Sequence, residues 1–120
     1  VTYLFDPPQT FDLPLTKGRD LYFDFIYKPL LVDGSGDPVL DSNGNKQYQV
    51  ANYPGGAVVT LEIDTSTPTT ATATISTHHA VVNVNYTLAD VIGSRVPWRI
   101  KMVTAGVDDV LAHGKTKRVD

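Results

Sequence analysis

A chain of 120 residues has room for one hydrophobic core and one domain. Ten Lys and Arg against thirteen Asp and Glu give a formal net charge of −3, which speaks against a nucleic-acid or anionic-membrane ligand, since both need a concentrated basic face. The absence of cysteine removes disulfides, thiolate catalysis and cysteine-based zinc sites, so packing must hold the fold.

The opening "VTYLFDPPQT" lacks the charged and apolar regions of a signal peptide, and no apolar run approaches the ~20 residues of a membrane span. Tyr3, Leu4 and Phe5 are apolar and are followed by Pro7 and Pro8, a composition that predicts a docking arm over residues 1–9, packed on a neighbouring subunit. "FDLPL" then sets Phe11, Leu13 and Leu15 on one face. In "DLYFDFIYK", Leu21, Phe23, Phe25 and Tyr27 share the inward face and leave Tyr22, Asp24, Ile26 and Lys28 outside. Should this strand lie at an interface, Tyr22 and Ile26 are the side chains that meet the partner. Lys17 and Arg19 flank the turn at Gly18, with Asp20 offsetting their charge.

Residues 29–56 are the least regular stretch, with turn clusters at 34–38 and 43–44. Asn43-Gly44 suits a type I′ turn, which predicts a projecting hairpin over 33–53 that pairs Pro38 to Leu40 with Gln47 to Val50. Alternation resumes with Ala57, Val59, Leu61 and Ile63 inward. Ala71, Ala73 and Ile75 follow, then Ala80, Val82, Val84 and Tyr86, the last two runs forming a hairpin around Thr77 to His79. "TLADVIG" breaks the pattern and predicts a short helix near 87–93, capped by Thr87 with Asp90 at the capping-box spacing and ended by Gly93. Trp98, Ile100 and Met102 point inward with Arg99 and Lys101 outward; residues 105–109 turn; and "VLAHGKTKRVD" is the last strand, Gly114 marking a bulge or a close approach. The sum is an all-β, antiparallel β-sandwich of Ig-like or Greek-key type with about seven to nine strands, one domain over 1–120 and no internal repeat.

Chemistry-bearing candidates each have a plain structural counterpart. Asp41, Asn43 and Asn45 match the first ligand positions of a calcium loop, yet Lys46 and Asn52 break the pattern, so a turn is the expectation. His78 and His79 adjoin at a turn with His113 distant, which predicts turn histidines rather than a metal site. No nucleophile elbow, phosphate loop or converging carboxylate pair is legible, and the chain reads as non-enzymatic, with no cofactor and no metal. Lys115, Lys117 and Arg118 cluster near the C-terminal end, a charged edge or a docking strip for an acidic partner. Trp98 reads as core. Tyr48 and Tyr53, on the irregular excursion, read as surface contacts.

Three stretches occur together: "LTKGRDLYF", "GGAVVTLEI", and "TLADVIGSRVPWRIKMV" followed by "VLAHGKTKRVD", with Lys17 to Asp20, Trp98 to Arg99 and Gly114 with Arg118 as their markers. In that order they resemble the LtfC-like β-sandwich domains of tailed-bacteriophage virion proteins, and are loosely similar to N-terminal β-sandwich domains of phage baseplate proteins. The resemblance implies a structural protein of the virion, made in the host cytoplasm, with no catalytic residues to carry over. A capsid decoration or cementing protein that binds the major capsid protein in many copies is the first expectation; a tail, baseplate or head-tail accessory protein is the second, and a host-surface or glycan-binding module the third. The interface expected on these grounds comprises Tyr3, Leu4, Phe5, Tyr22, Ile26, Tyr48, Tyr53, Lys115, Lys117 and Arg118.

Overall fold

A computed structural model describes residues 9–119. Among these described residues nine strands and one short helix follow one another: β1 (Gln9–Thr10), β2 (Leu13–Leu15), β3 (Leu21–Ile26), β4 (Val58–Ile63), β5 (Thr69–Thr72), β6 (Thr74–Ser76), β7 (His79–Val84), α1 (Tyr86–Ala89), β8 (Pro97–Thr104) and β9 (Val107–Arg118). They form two sheets, one in the order β1-β9-β8-β4-β5 with β2 also on β9, the other in the order β3-β7-β6. The expected sandwich is therefore present. Antiparallel pairing holds throughout except where β1 and β2 lie parallel to β9, as strands from opposite ends of the chain can without a hairpin between them.

Alternation places Val59, Leu61 and Ile63 of β4 and Trp98, Ile100 and Met102 of β8 in one buried cluster with Ala80, Val82 and Val84 of β7. A buried aliphatic side chain contributes roughly 1.5–3 kcal/mol, whereas an exposed ion pair contributes about 0–1 kcal/mol, so this cluster decides whether the sheets close. One side of the sandwich is sealed by the chain itself: β5 belongs to the large sheet and β6 to the small one, and Ala73 between them donates its amide to Val59 at 2.8 Å. On β9 the register with β8 shifts between Ile100 and Lys101, and Leu111 and Ala112 are buried in succession, the signature of a bulge. The bulge thus sits three residues before Gly114.

Gly114 is a site of close approach instead. A Cβ there would overlap the carbonyl oxygen of Phe11 and come within 3.2 Å of Trp98 Nε1. The predicted turn over 105–109 shrinks to Ala105 and Gly106, both at positive φ (51° and 79°) as a type I′ turn requires, so that β9 begins at Val107.

The excursion corrects the predicted hairpin. Leu30 bridges Tyr48, Val32 bridges Pro38 and Leu40 bridges Lys46, so a stem carries two tips instead of pairing residues 38–40 with 47–50. Each tip is closed by an aspartate. Asp33 Oδ1 accepts the amides of Ser35 (2.9 Å) and Asp37 (3.0 Å), and Asp41 Oδ1 those of Asn43 (2.8 Å) and Asn45 (2.9 Å). Gly36 and Gly44 follow at φ 83° and 81°, while Asn43 stays at negative φ, so the second tip is not type I′. "LVDGSGDP" and "VLDSNGNK" are accordingly a short internal repeat that the hydrophobic pattern does not reveal.

The helix also differs. Asn85, not Thr87, is the N-cap, its side chain accepting the Thr87 amide at 3.0 Å, and Asp90 lies at the C-cap. Tyr86, grouped with the inward residues of β7 by alternation, is exposed in the helix. Ala89 and Ile92 are buried there; Leu88 and Val91 face out.

Candidate functional site on the open side

Opposite the sealed side, β3 is, among the described residues, an edge strand bonded to β7 alone. The amide of Tyr27 donates to His78, and Tyr27 continues the register that pairs Leu21 with Val84. Because backbone groups alternate along an antiparallel ladder, Leu21, Phe23 and Phe25 turn theirs to β7, and Tyr22, Asp24 and Ile26 turn theirs to the open edge. A groove runs between this edge and β1–β2, lined by Phe11, Leu13, Pro14, Phe23 and Ile26, with Gln9 and Lys28 at one end and Arg19 and Asp20 at the other. Phe11 is 38% exposed and rests on Trp98 with ring centroids 4.7 Å apart. Trp98 itself lies in the core.

The expected interface residues divide. Tyr22 is 65% exposed and Ile26 is half-buried, both on the outer face of β3. Between them Asp24 meets His79 Nδ1 at 2.6 Å, and the ring centroids of His78 and His79 lie 4.0 Å apart with the rings tilted by 37°. Tyr53 is a correction: it is buried, its hydroxyl donates to the Phe25 carbonyl at 2.9 Å, and its ring lies 4.7 Å from that of Tyr27. Burial, with the charge of Asp24 and the neighbouring Tyr27 behind it, pushes the Tyr53 pKa far above the ordinary tyrosine value. A position on a loop suggested a surface role; the loop instead folds back, its Tyr53 amide donating to Thr77. Tyr48 is half-buried against the core at the stem. Tyr3, Leu4 and Phe5 lie outside the described residues.

Lys115 and Lys117 are exposed on β9 beside His113, whose Nε2 is 3.3 Å from Thr10 Oγ1. Arg118 departs from this face. Its Nη1 donates to the carbonyls of Ala89 (3.1 Å) and Ile92 (2.8 Å), which places the guanidinium at the end of α1 and not on a docking strip. Arg99 is held by Asp64 (3.1 and 3.2 Å) and Glu62 (2.8 Å); the Asp64 hydrogen bond raises its pKa against burial, and the Glu62 bond adds to the rise. Among the described residues no group of three or more His, Asp or Glu is gathered for a metal ion, and no helix is long and apolar enough to cross a membrane.

The marker residues now have structural reasons. Gly18 donates to the Asp90 carboxylate and Asp20 accepts the Tyr86 amide, so the Lys17 to Asp20 turn and α1 clamp one another. Two features escaped the sequence: the β3 edge left unpaired among the described residues, which depends on strand order, and the exposure of Leu88 and Val91 beside the loop at 65–70. Two sheets joined on one side and open on the other define a small β-sandwich module. The chain belongs to the LtfC-like β-sandwich domain family, whose model matches residues 7–119. That membership makes it a phage-related β-sandwich protein. Comparison with curated proteins and with solved structures gave no match.

Proposed function

We propose that the chain is a non-enzymatic structural protein of a bacteriophage particle, which decorates or cements the capsid by binding the major capsid protein in many copies. The open side carries this reading: among the described residues the β3 edge is unpaired and lies beside an apolar groove. Proteins that work by assembly use surfaces of this kind, whose backbone groups supply affinity and whose side chains supply specificity. Lys115 and Lys117 add positive charge suited to an acidic neighbour. No cofactor, metal, nucleic acid or membrane takes part.

Adding purified protein back to particles that lack it, followed by co-sedimentation, tests the proposal. Saturable binding to shells is expected, weakened when Lys115 and Lys117 are changed to Glu. Binding to isolated tails with none to shells would contradict it. A tail, baseplate or head-tail accessory protein is the second reading and a host-surface or glycan-binding module the third, the last favoured by one feature: the two-tipped hairpin closed by Asp33 and Asp41. Glycan arrays probed with and without calcium test the glycan branch, and retention on a defined glycan would support it.

A further inference from the structure

The strand registers place two unlike surfaces at opposite ends of the sandwich. β4 runs from Val58, opposite Val103, to Ile63, opposite Trp98, and six strand residues at ~3.3 Å each separate the ends by roughly 20 Å. The excursion leaves at the Val58 end; α1, the loop at 65–70 and the close of β9 gather at the Ile63 end. The stem of the excursion continues the line of β3 outward, with Ala51 donating to Tyr27, Gln49 to Pro29 and Leu31 to Gln47. Each tip then shows the same pair: an aliphatic side chain, Val32 (45% exposed) or Leu40 (53%), directly before the aspartate that closes the turn. Residues 29–56 carry three carboxylates, Asp33, Asp37 and Asp41, against the single Lys46.

The far end is the complement. Leu88 (56% exposed) and Val91 (80%) line a groove of about 600 Å³ with Pro68 and its flanking threonines. Lys17 and Arg19 on the turn clamped to α1, Arg95 just past α1, and Lys115 and Lys117 on β9 are all exposed, and among the described residues none of the five makes an ion pair. The carboxylates of this end are already engaged: Asp20 by the Tyr86 amide, Asp90 by the Gly18 amide, Glu62 and Asp64 by Arg99.

We infer that the hairpin tips of one copy seat in the α1 groove of a second copy, with Val32 and Leu40 against Leu88, Val91 and Pro68, and Asp33, Asp37 and Asp41 facing the cations around them. A tip does not reach the groove of its own copy, because the stem points away from it along the sandwich. The contact joins two different surfaces, so it propagates head to tail instead of stopping at a symmetric pair. Such association goes beyond the capsid assignment and operates wherever in the particle the protein stands.

Sedimentation equilibrium of the full chain tests this. Species larger than a dimer are expected as concentration rises, and added salt should weaken them. Two double variants divide the contact: Val32→Asp with Leu40→Asp at the tips, and Leu88→Asp with Val91→Asp in the groove. All four side chains are exposed and lie outside the core, so both variants keep the fold. Each alone should self-associate roughly tenfold more weakly or less still. Mixed in equal amounts they should form a dimer and nothing larger, through the one intact tip and the one intact groove. A mixture that stays monomeric, or variants that assemble as well as wild type, would overturn the inference. So would a wild-type chain that stops at a dimer, or one that remains monomeric up to ~1 mM.

Discussion

The guanidinium of Arg118 donates to the carbonyl of Ile92 at 2.8 Å and so ties the last residue of β9 to the turn that follows α1. A second bond to Ala89 satisfies another carbonyl at that helix end. Hydrogen bonds from a charged group contribute about 1.5–3 kcal/mol when shielded, and partial exposure of Arg118 lowers the expectation to about 1–2 kcal/mol for Arg118→Ala. Lys115→Ala and Lys117→Ala should fall within about 0.5 kcal/mol of wild type, as exposed substitutions do. Urea unfolding of the three variants checks the contrast.

Gly114→Ala should be far more damaging than its size suggests. The new methyl group would overlap the Phe11 carbonyl, a backbone atom with no rotamer to yield. Either β1 lifts from β9 or Phe11 leaves Trp98, and the expected loss is about 3 kcal/mol or more. Thermal unfolding measures it, and the fluorescence of Trp98, the single tryptophan, reports whether its cover has moved.

Alkaline pH should destabilise the fold through the buried tyrosine pair. Burial raises the pKa of both Tyr53 and Tyr27, with nearby charge from Asp24 and Asp109 respectively adding to the effect. Below the ordinary value of 10.0 both the folded and the unfolded chain keep these protons, and stability is unaffected. Above it the unfolded chain ionises first, the folded chain binds more protons, and stability falls by up to ~1.4 kcal/mol per pH unit for each tyrosine. Tyr53→Phe should cost about 1 kcal/mol at neutral pH, by losing its bond to Phe25, yet flatten the alkaline decline. Denaturation curves between pH 7 and 11 compare the slopes; equal slopes would rule the explanation out.

Asp33→Ala and Asp41→Ala should each loosen one hairpin tip and leave the sandwich intact, since each removes two local amide bonds and no core contact. Hydrogen exchange is expected to quicken at residues 35–37 in the first variant and 43–45 in the second, with global stability changed by less than about 1 kcal/mol.

Much of this fold could be read from alternation, because a residue with one buried and one solvated flank reveals its strand. Val59, Leu61 and Ile63, or Trp98, Ile100 and Met102, are cases where the pattern and the burial agree. It failed where local hydrogen bonds override pattern: Asp33 and Asp41 organise a two-tipped excursion, and Asn85 takes the cap from Thr87. Arg118 sits among cationic neighbours in sequence, yet two carbonyls from residues 26 and 29 positions earlier draw it inward. Tyr53 was misplaced for the same reason, since its partner Phe25 lies 28 residues away. Tyr22 and Ile26, by contrast, followed from period two and lie on the outer face of β3.

Labelling of the protein on intact phage particles, located by electron microscopy, tests the central claim most directly. The proposal predicts label distributed over the capsid shell in many copies. Label confined to the tail would contradict the capsid assignment, and particles that carry none of the protein would contradict a structural role in the virion altogether.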